Sequence, residues 1–330
     1  ELLAAPLAPG QPGPQPDARP VLLYVHGWKP GSYKQPAPDS FSTDEAVYGG
    51  VEDVALPWTQ AGYRVLCFLW IPFADERDVA TAERKIWAAD DRGAQRWRAG
   101  DGSYNTLEGA TDIGSYLHEV YRRELRDASR VHLVGHSLGC QVVGRLLEIL
   151  ATPERASARA PERVTLLDPY FTNFAKCYLS GKWTGERTRE AVRLAAEGGC
   201  AVELIKSSAV LSNPLSDTND ELQFYCAYFL LKPDFIKLAY GPRDAAVLAD
   251  RHSYARYAYL GSKGGAESRK GAAVVGLAER GDADVRAMMG SEAHFVQSAG
   301  RDRWDPRHLA FEEREGPGTT LRPKAPLCYA

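Results

Sequence analysis

The sequence predicts an α/β protein with a mostly parallel central sheet and helices on both of its faces. Three observations predict it. Continuous apolar runs recur at strand length, as expected of parallel strands covered on both sides. Stretches with helical apolar spacing alternate with those runs, the pattern of βαβ units. One run, Val131-His132-Leu133-Val134-Gly135-His136-Ser137-Leu138-Gly139, breaks sharply from strand to helix at a serine.

The elements follow in order. Residues 1–20 are rich in Pro, Gly, Ala and Gln, with little to bury, and are expected as an extended arm. A domain is expected over 21–262. Its first strand is Val21–Val25 and its second 65–70, and residues 80–98 and 107–126 read as helices. The strand ending at Ser137 leads into a helix over 141–150, and 164–167 and 202–205 are two further buried strands. The aromatic run 224–231 could wall an acyl-chain site, although such stripes are more often core. Residues 263–330, which begin Gly/Ser/Lys-rich and end in a proline-containing tail, are expected as an extension packed on the domain.

Composition excludes several classes. Among 330 residues, 40 basic and 43 acidic side chains give a net charge of -3, and the arginines are scattered, so nucleic acid is not an expected partner. No stretch approaches the about twenty apolar residues that cross a bilayer. Cys67 and Cys140 sit in apolar contexts and are expected as buried thiols. Cys177, Cys200, Cys226 and Cys328 are candidate loop staples of an exported chain, and on that reading a secreted protein is expected. Histidines and cysteines lack zinc spacings, and residues 217–221 lack the glycine and distal glutamate of a calcium loop, so no metal or other cofactor is expected.

The chemistry concentrates at strand ends, where parallel sheets bind ligands. Ser137, flanked two residues away by Gly135 and Gly139, resembles the nucleophile elbow of α/β-hydrolases: the turn lifts the hydroxyl clear of the sheet, and only small neighbours let strand and helix approach. Asp168 closes the strand 164–167, 31 residues on, and Pro169 stops that strand. His252 follows in a polar segment leading to the helical stretch 254–260. The order Ser, Asp, His suits a triad in which His252 is the general base and Asp168 fixes its tautomer. Asp217 is the rival acid, although its acidic neighbourhood reads more simply as a solvated loop. His294 and His308 are fallback bases, while His118 and His132 suit structural roles. Oxyanion donors are expected from the backbone N–H of Leu138, at the start of the elbow helix, and of Trp28, after His26-Gly27 at the end of the first strand.

Taken together, Tyr24-Val25-His26-Gly27-Trp28, the 131–139 elbow, Leu167-Asp168-Pro169, 202–205 and His252 with its aromatic follow-on resemble the pancreatic-lipase-like serine lipases and phospholipases A1. The resemblance spans residues 21–260. It implies hydrolysis of acyl esters of glycerides or phospholipids at a lipid–water interface, the acid at Asp168, and a lid or cap insertion between Asp168 and His252. Asp250-Arg251 stand before His252 where the family commonly has a cysteine, and the family's second β domain is not evident. The expected function is a serine carboxylic-ester hydrolase acting on apolar acyl esters. A polyester hydrolase is the neighbouring alternative, and a non-catalytic binding protein on the same fold is the alternative of another class.

Overall fold

The computed structural model describes residues 17–34, 40–90, 93–152, 158–209, 216–236, 245–264, 277–318 and 328–329. The strands are β1 (Val21–Val25), β2 (Arg64–Phe68), β3 (Ala94–Arg98), β4 (Tyr104–Glu108), β5 (Val131–His136), β6 (Arg163–Leu167), β7 (Ala175–Lys176), β8 (Ala201–Lys206), β9 (Ala227–Leu230), β10 (Ala293–Ala299), β11 (Ala310–Glu315) and β12 (Cys328–Tyr329). The helices are α1 (Glu45–Tyr48), α2 (Leu56–Gln60), α3 (Ile71–Ala74), α4 (Val79–Trp87), α5 (Ile113–Glu124), α6 (Gly139–Leu150), α7 (Thr184–Glu197), α8 (Ala245–Gly261) and α9 (Asp282–Met289).

Eight strands form the central sheet in the order β11-β10-β9-β8-β6-β5-β1-β2. Neighbours are parallel except for the antiparallel β10–β11 pair. Alternate side chains enter opposite cores. Val21, Leu23 and Val25 pack with α4, α5, α6 and α7, whereas Leu22 and Tyr24 pack with α2, α8 and α9. Burial on both faces is why these strands are apolar throughout rather than alternating. The chain runs from β1 outward to β2 and then returns to β5 on the other side of β1, so the strand order reverses between β1 and β5. A crevice opens at such a reversal, outside the carboxyl ends of the strands.

Four differences from the sequence reading bear on the site. The expected helix over 80–98 ends at Trp87, and 94–98 is instead β3, paired antiparallel with β4. The helix expected from 107 begins at Ile113, because Asp112 caps it by accepting from Ser115 N at 2.9 Å. The segment between Asp168 and His252, expected to carry an insertion, supplies α7, β8 and β9 to the body of the fold. Its residues 210–215 and 237–244 lie outside the described residues. Finally, the expected C-terminal extension adds β10 and β11 to the sheet itself, where Phe295 and Phe311 close around Phe229. Within 224–231, residues 226–229 are buried and Phe224 is exposed, so the run is chiefly core.

Most of the N-terminal arm lies outside the described residues, as does the Cys328 side chain. Cys140 is buried, as expected, and Cys67 is partly covered. Cys200 and Cys226, expected as loop staples, are buried free thiols, and burial pushes the Cys200 thiol up to about 12. Cys177 is free and exposed.

Candidate functional site

Ser137 stands at the end of β5 with φ 57°, in the left-handed region. For a residue with a Cβ that conformation costs on the order of 1–2 kcal/mol and persists only where the surroundings impose it. Here Ser137 N donates to Leu167 O at 3.0 Å, tying the turn to the end of β6. Two glycines make the close packing possible. A methyl group on Gly139 would lie 2.1 Å from the Val25 carbonyl oxygen, and one on Gly27 would lie 2.6 Å from Ser137 Cβ. The end of β1 and the start of α6 therefore meet at the serine.

Asp168 follows β6, also at positive φ (43°), and is 1% exposed. An isolated carboxylate at that depth would be costly, so its partners matter. His252 Nδ1 lies 2.8 Å from Oδ2, the Ser208 hydroxyl donates to the same oxygen, and Ser207 N donates to Oδ1 at 3.4 Å. A carboxylate only accepts, so Nδ1 carries a proton, and in the neutral ring Nε2 is then the nitrogen with the lone pair. That tautomer is the one a general base needs.

His252 lies within α8, which begins earlier than the sequence suggested because residues 245–249 are helix-forming and apolar. Two contacts hold it. His136 Nε2 donates to the His252 carbonyl at 3.0 Å, and the two rings pack with centroids 4.6 Å apart. Ser207 Oγ bridges Arg251 O at 2.6 Å and Ala255 N at 3.1 Å, joining the end of β8 to the same turn of α8. The His252–Asp168 bond is thus made, and Ser137 is next in sequence to the histidine that packs on His252. Among the described residues no hydrogen bond joins the Ser137 hydroxyl to the ring. Such bonds are often long before a substrate is bound.

Beside the hydroxyl, the N–H groups of Trp28 and Leu138 have no acceptor among the described residues. His26 orients the first of them. Its Nε2 accepts from Trp70 N at 3.1 Å, so Nδ1 bears the proton and donates to Gly27 O at 2.8 Å. In a trans peptide the N–H points opposite to the carbonyl, so the Trp28 N–H is turned away from the His26 ring. Leu138 caps α6, where the helix dipole favours negative charge.

The rival residues are engaged elsewhere. Asp217 is buried rather than solvated and accepts from Asn219 N at 3.0 Å, organising its own turn. Asn219 and Asp220 are buried with it, which corrects the solvated-loop expectation. His294 Nδ1 bonds Gly316 O and His308 Nδ1 bonds Asp305. The cleft between α6 and α7 is lined by paired charges such as Arg193–Glu190 at 2.7 Å and does not include Ser137. Among the described residues no cluster of His, Cys, Asp and Glu could hold a metal, and no helix is long and apolar enough to cross a membrane.

No protein-family model and no curated protein matches this chain. Ser207 and Ser208, which share in holding Asp168 and His252, were missed from the sequence. The available signal was their position, directly after the strand that ends at Lys206. His136 was legible only as part of the elbow, not as a support for His252.

Proposed function

We propose that this chain is a serine carboxylic-ester hydrolase on an α/β-hydrolase fold. The observation that carries the reading is the 2.8 Å bond between His252 Nδ1, on α8, and Asp168 Oδ2, at the end of β6 beside a strained serine, two residues 84 apart in sequence. His252 Nε2 takes the hydroxyl proton as Ser137 Oγ attacks the ester carbonyl. The negative charge that develops on the carbonyl oxygen is received by the N–H groups of Leu138 and Trp28. The imidazolium, stabilised by Asp168, returns its proton to the departing alcohol. Water, deprotonated by the same ring, then releases the acid.

Apolar acyl esters, with lipids first among them, are the proposed substrates. The half-buried Trp28, which follows the Gly27 packed against Ser137, supplies apolar surface beside the serine, and Leu69, just after β2, is a further apolar side chain at the carboxyl ends of the strands, 40% exposed. Replacing Ser137 with Ala is expected to lower hydrolysis of a soluble p-nitrophenyl ester by about a thousandfold or more. Turnover equal to the parent protein would refute the assignment. An alkyl phosphonate should label the parent at Ser137, whereas a binding protein of this fold would stay unmodified. Rates on a triglyceride emulsion, a phospholipid and a soluble ester, measured side by side, choose the substrate class.

A further inference from the structure

The loop that presents Trp28 is held from one short segment, residues 70–76, which follows β2. Trp70 Nε1 donates to His26 O at 2.8 Å, Trp28 Nε1 donates to Glu76 O at 2.8 Å, and Lys29 N donates to Ala74 O at 3.3 Å. The strongest hold is the side chain of Asp75. Its carboxylate, in a residue 1% exposed, receives Gly31 N at 2.7 Å on Oδ1, and Tyr33 N at 2.7 Å and Ser32 Oγ at 3.1 Å on Oδ2. Arg98 Nη1 completes the set at 3.3 Å from Oδ1. The loop is wrapped around one buried negative charge.

The surroundings brace that charge. The Arg98 guanidinium lies 3.8 Å from the centroid of the Tyr33 ring, and its Nε donates to Gly102 O at 3.2 Å, so the β3–β4 hairpin is fastened to the same loop. The neighbouring Glu76 turns the other way, to Lys85 at 2.6 Å and to Arg96 Nε at 2.9 Å. Consecutive carboxylates thus divide the work: Glu76 fixes the segment to α4 and the hairpin, and Asp75 fixes the loop to the segment.

We infer that Asp75 is a positioning residue for the oxyanion site: by gathering the 31–33 backbone it sets where the Trp28 N–H stands relative to Ser137. The inference rests on the ester-hydrolase reading. His26 governs the Trp28 peptide from its upstream side, and Asp75 governs it from downstream. A donor displaced by about an ångström serves the ground state almost as well but loses much of its hold on the transition state. In Asp75→Asn the amide offers N–H groups where the loop needs an acceptor, so Gly31 or Tyr33 loses its partner and the loop shifts.

The test measures parent, Ser137→Ala and Asp75→Asn proteins on a soluble p-nitrophenyl ester, with active sites counted by phosphonate titration. For Asp75→Asn, kcat per titrated site is expected to fall about 10- to 100-fold with KM changed less than about threefold. An alkylboronic acid, whose tetrahedral adduct with Ser137 needs the same N–H groups, should lose affinity in proportion to kcat/KM. A merely structural aspartate would lower the melting temperature while leaving kcat per site and boronate affinity unchanged, and that outcome overturns the inference alone. A Ser137→Ala protein as active as the parent overturns the hydrolase reading and this inference with it. If Asp75→Asn does not fold, Arg98→Met carries the test. It should lower kcat and boronate affinity together, about three- to tenfold, and a folded variant with parental values of both would sink the proposal.

Discussion

Asp168 shows how a single buried carboxylate can be both costly and directing. Left alone at that depth it would destabilise the fold by several kcal/mol, but three donors converge on it. Two of them come from the Ser207-Ser208 pair, so the acid keeps its orientation whichever proton state His252 adopts. His132 illustrates the opposite solution. It is buried between Thr165 Oγ1 at 2.9 Å and Tyr259 OH at 3.2 Å, and burial, with Arg163 nearby, pushes its pKa well below the usual histidine range. Above about pH 6.5 His132 is neutral whether folded or unfolded and costs nothing; below it the unfolded chain takes up a proton that the folded chain refuses. Stability should therefore decline as pH falls below about 6.5, with a slope of up to about 1.4 kcal/mol per pH unit from this one group. Denaturant unfolding of the parent and of His132→Gln at pH 7.5, 6.5 and 5.5 checks it: the variant's slope should be shallower, and equal slopes would contradict the account.

At the scale of elements, the elbow and the hairpin were legible to very different degrees. The elbow works because α6 starts against the backbone of β1. A Cβ at residue 139 would meet a carbonyl oxygen at 2.1 Å, a group that cannot rotate away. Gly139→Ala is accordingly expected to cost about 3 kcal/mol, the upper end of overpacking penalties, and to displace Leu138 and Ser137 as the helix retreats. Thermal unfolding together with ester turnover measures both effects, and a variant matching the parent in the two would show that the junction has slack. The hairpin was misread because Ala, Arg, Glu and Lys through 80–98 favour helix locally. Turn chemistry overrode that preference: Gly93 adopts positive φ, Asp90 accepts from Ala94 N at 2.8 Å, and Asp101 accepts from Ser103 N at 2.8 Å ahead of β4.

Over the whole molecule, one sheet joins strands from early and late in the described chain, β1 and β2 with β10 and β11. β2 forms one edge, and β11, with exposed Glu312, Glu313 and Glu315, forms the other, a charged border that discourages pairing with a second sheet. Phe229 on β9, Phe295 on β10 and Phe311 on β11 are all buried. A chain ending at Gly290 would expose Phe229 and leave β9 as an unprotected edge. It is expected to be insoluble or aggregated, as read by size-exclusion chromatography and circular dichroism. A monomeric product with parental helix and strand content would mean that residues 293–318 are dispensable.

The strand runs, the α/β alternation and the serine elbow were settled by the sequence alone, because continuous apolar burial and small residues around a sharp turn leave a local imprint. The place of Asp168 at the end of its strand was readable for the same reason, through the Pro that stops that strand. Other features had no local imprint. That His252, and neither His294 nor His308, meets Asp168 depends on where α8 docks against the ends of β6 and β8. That residues 293–315 belong to the sheet, that Asp217 is buried, and that Asp75 reaches back to residues 31–33 are likewise products of packing between distant segments. A single-sequence pattern records which face of an element is apolar; which partner covers that face, and which buried polar group finds which donor, is decided only when the sheet brings the strand ends together.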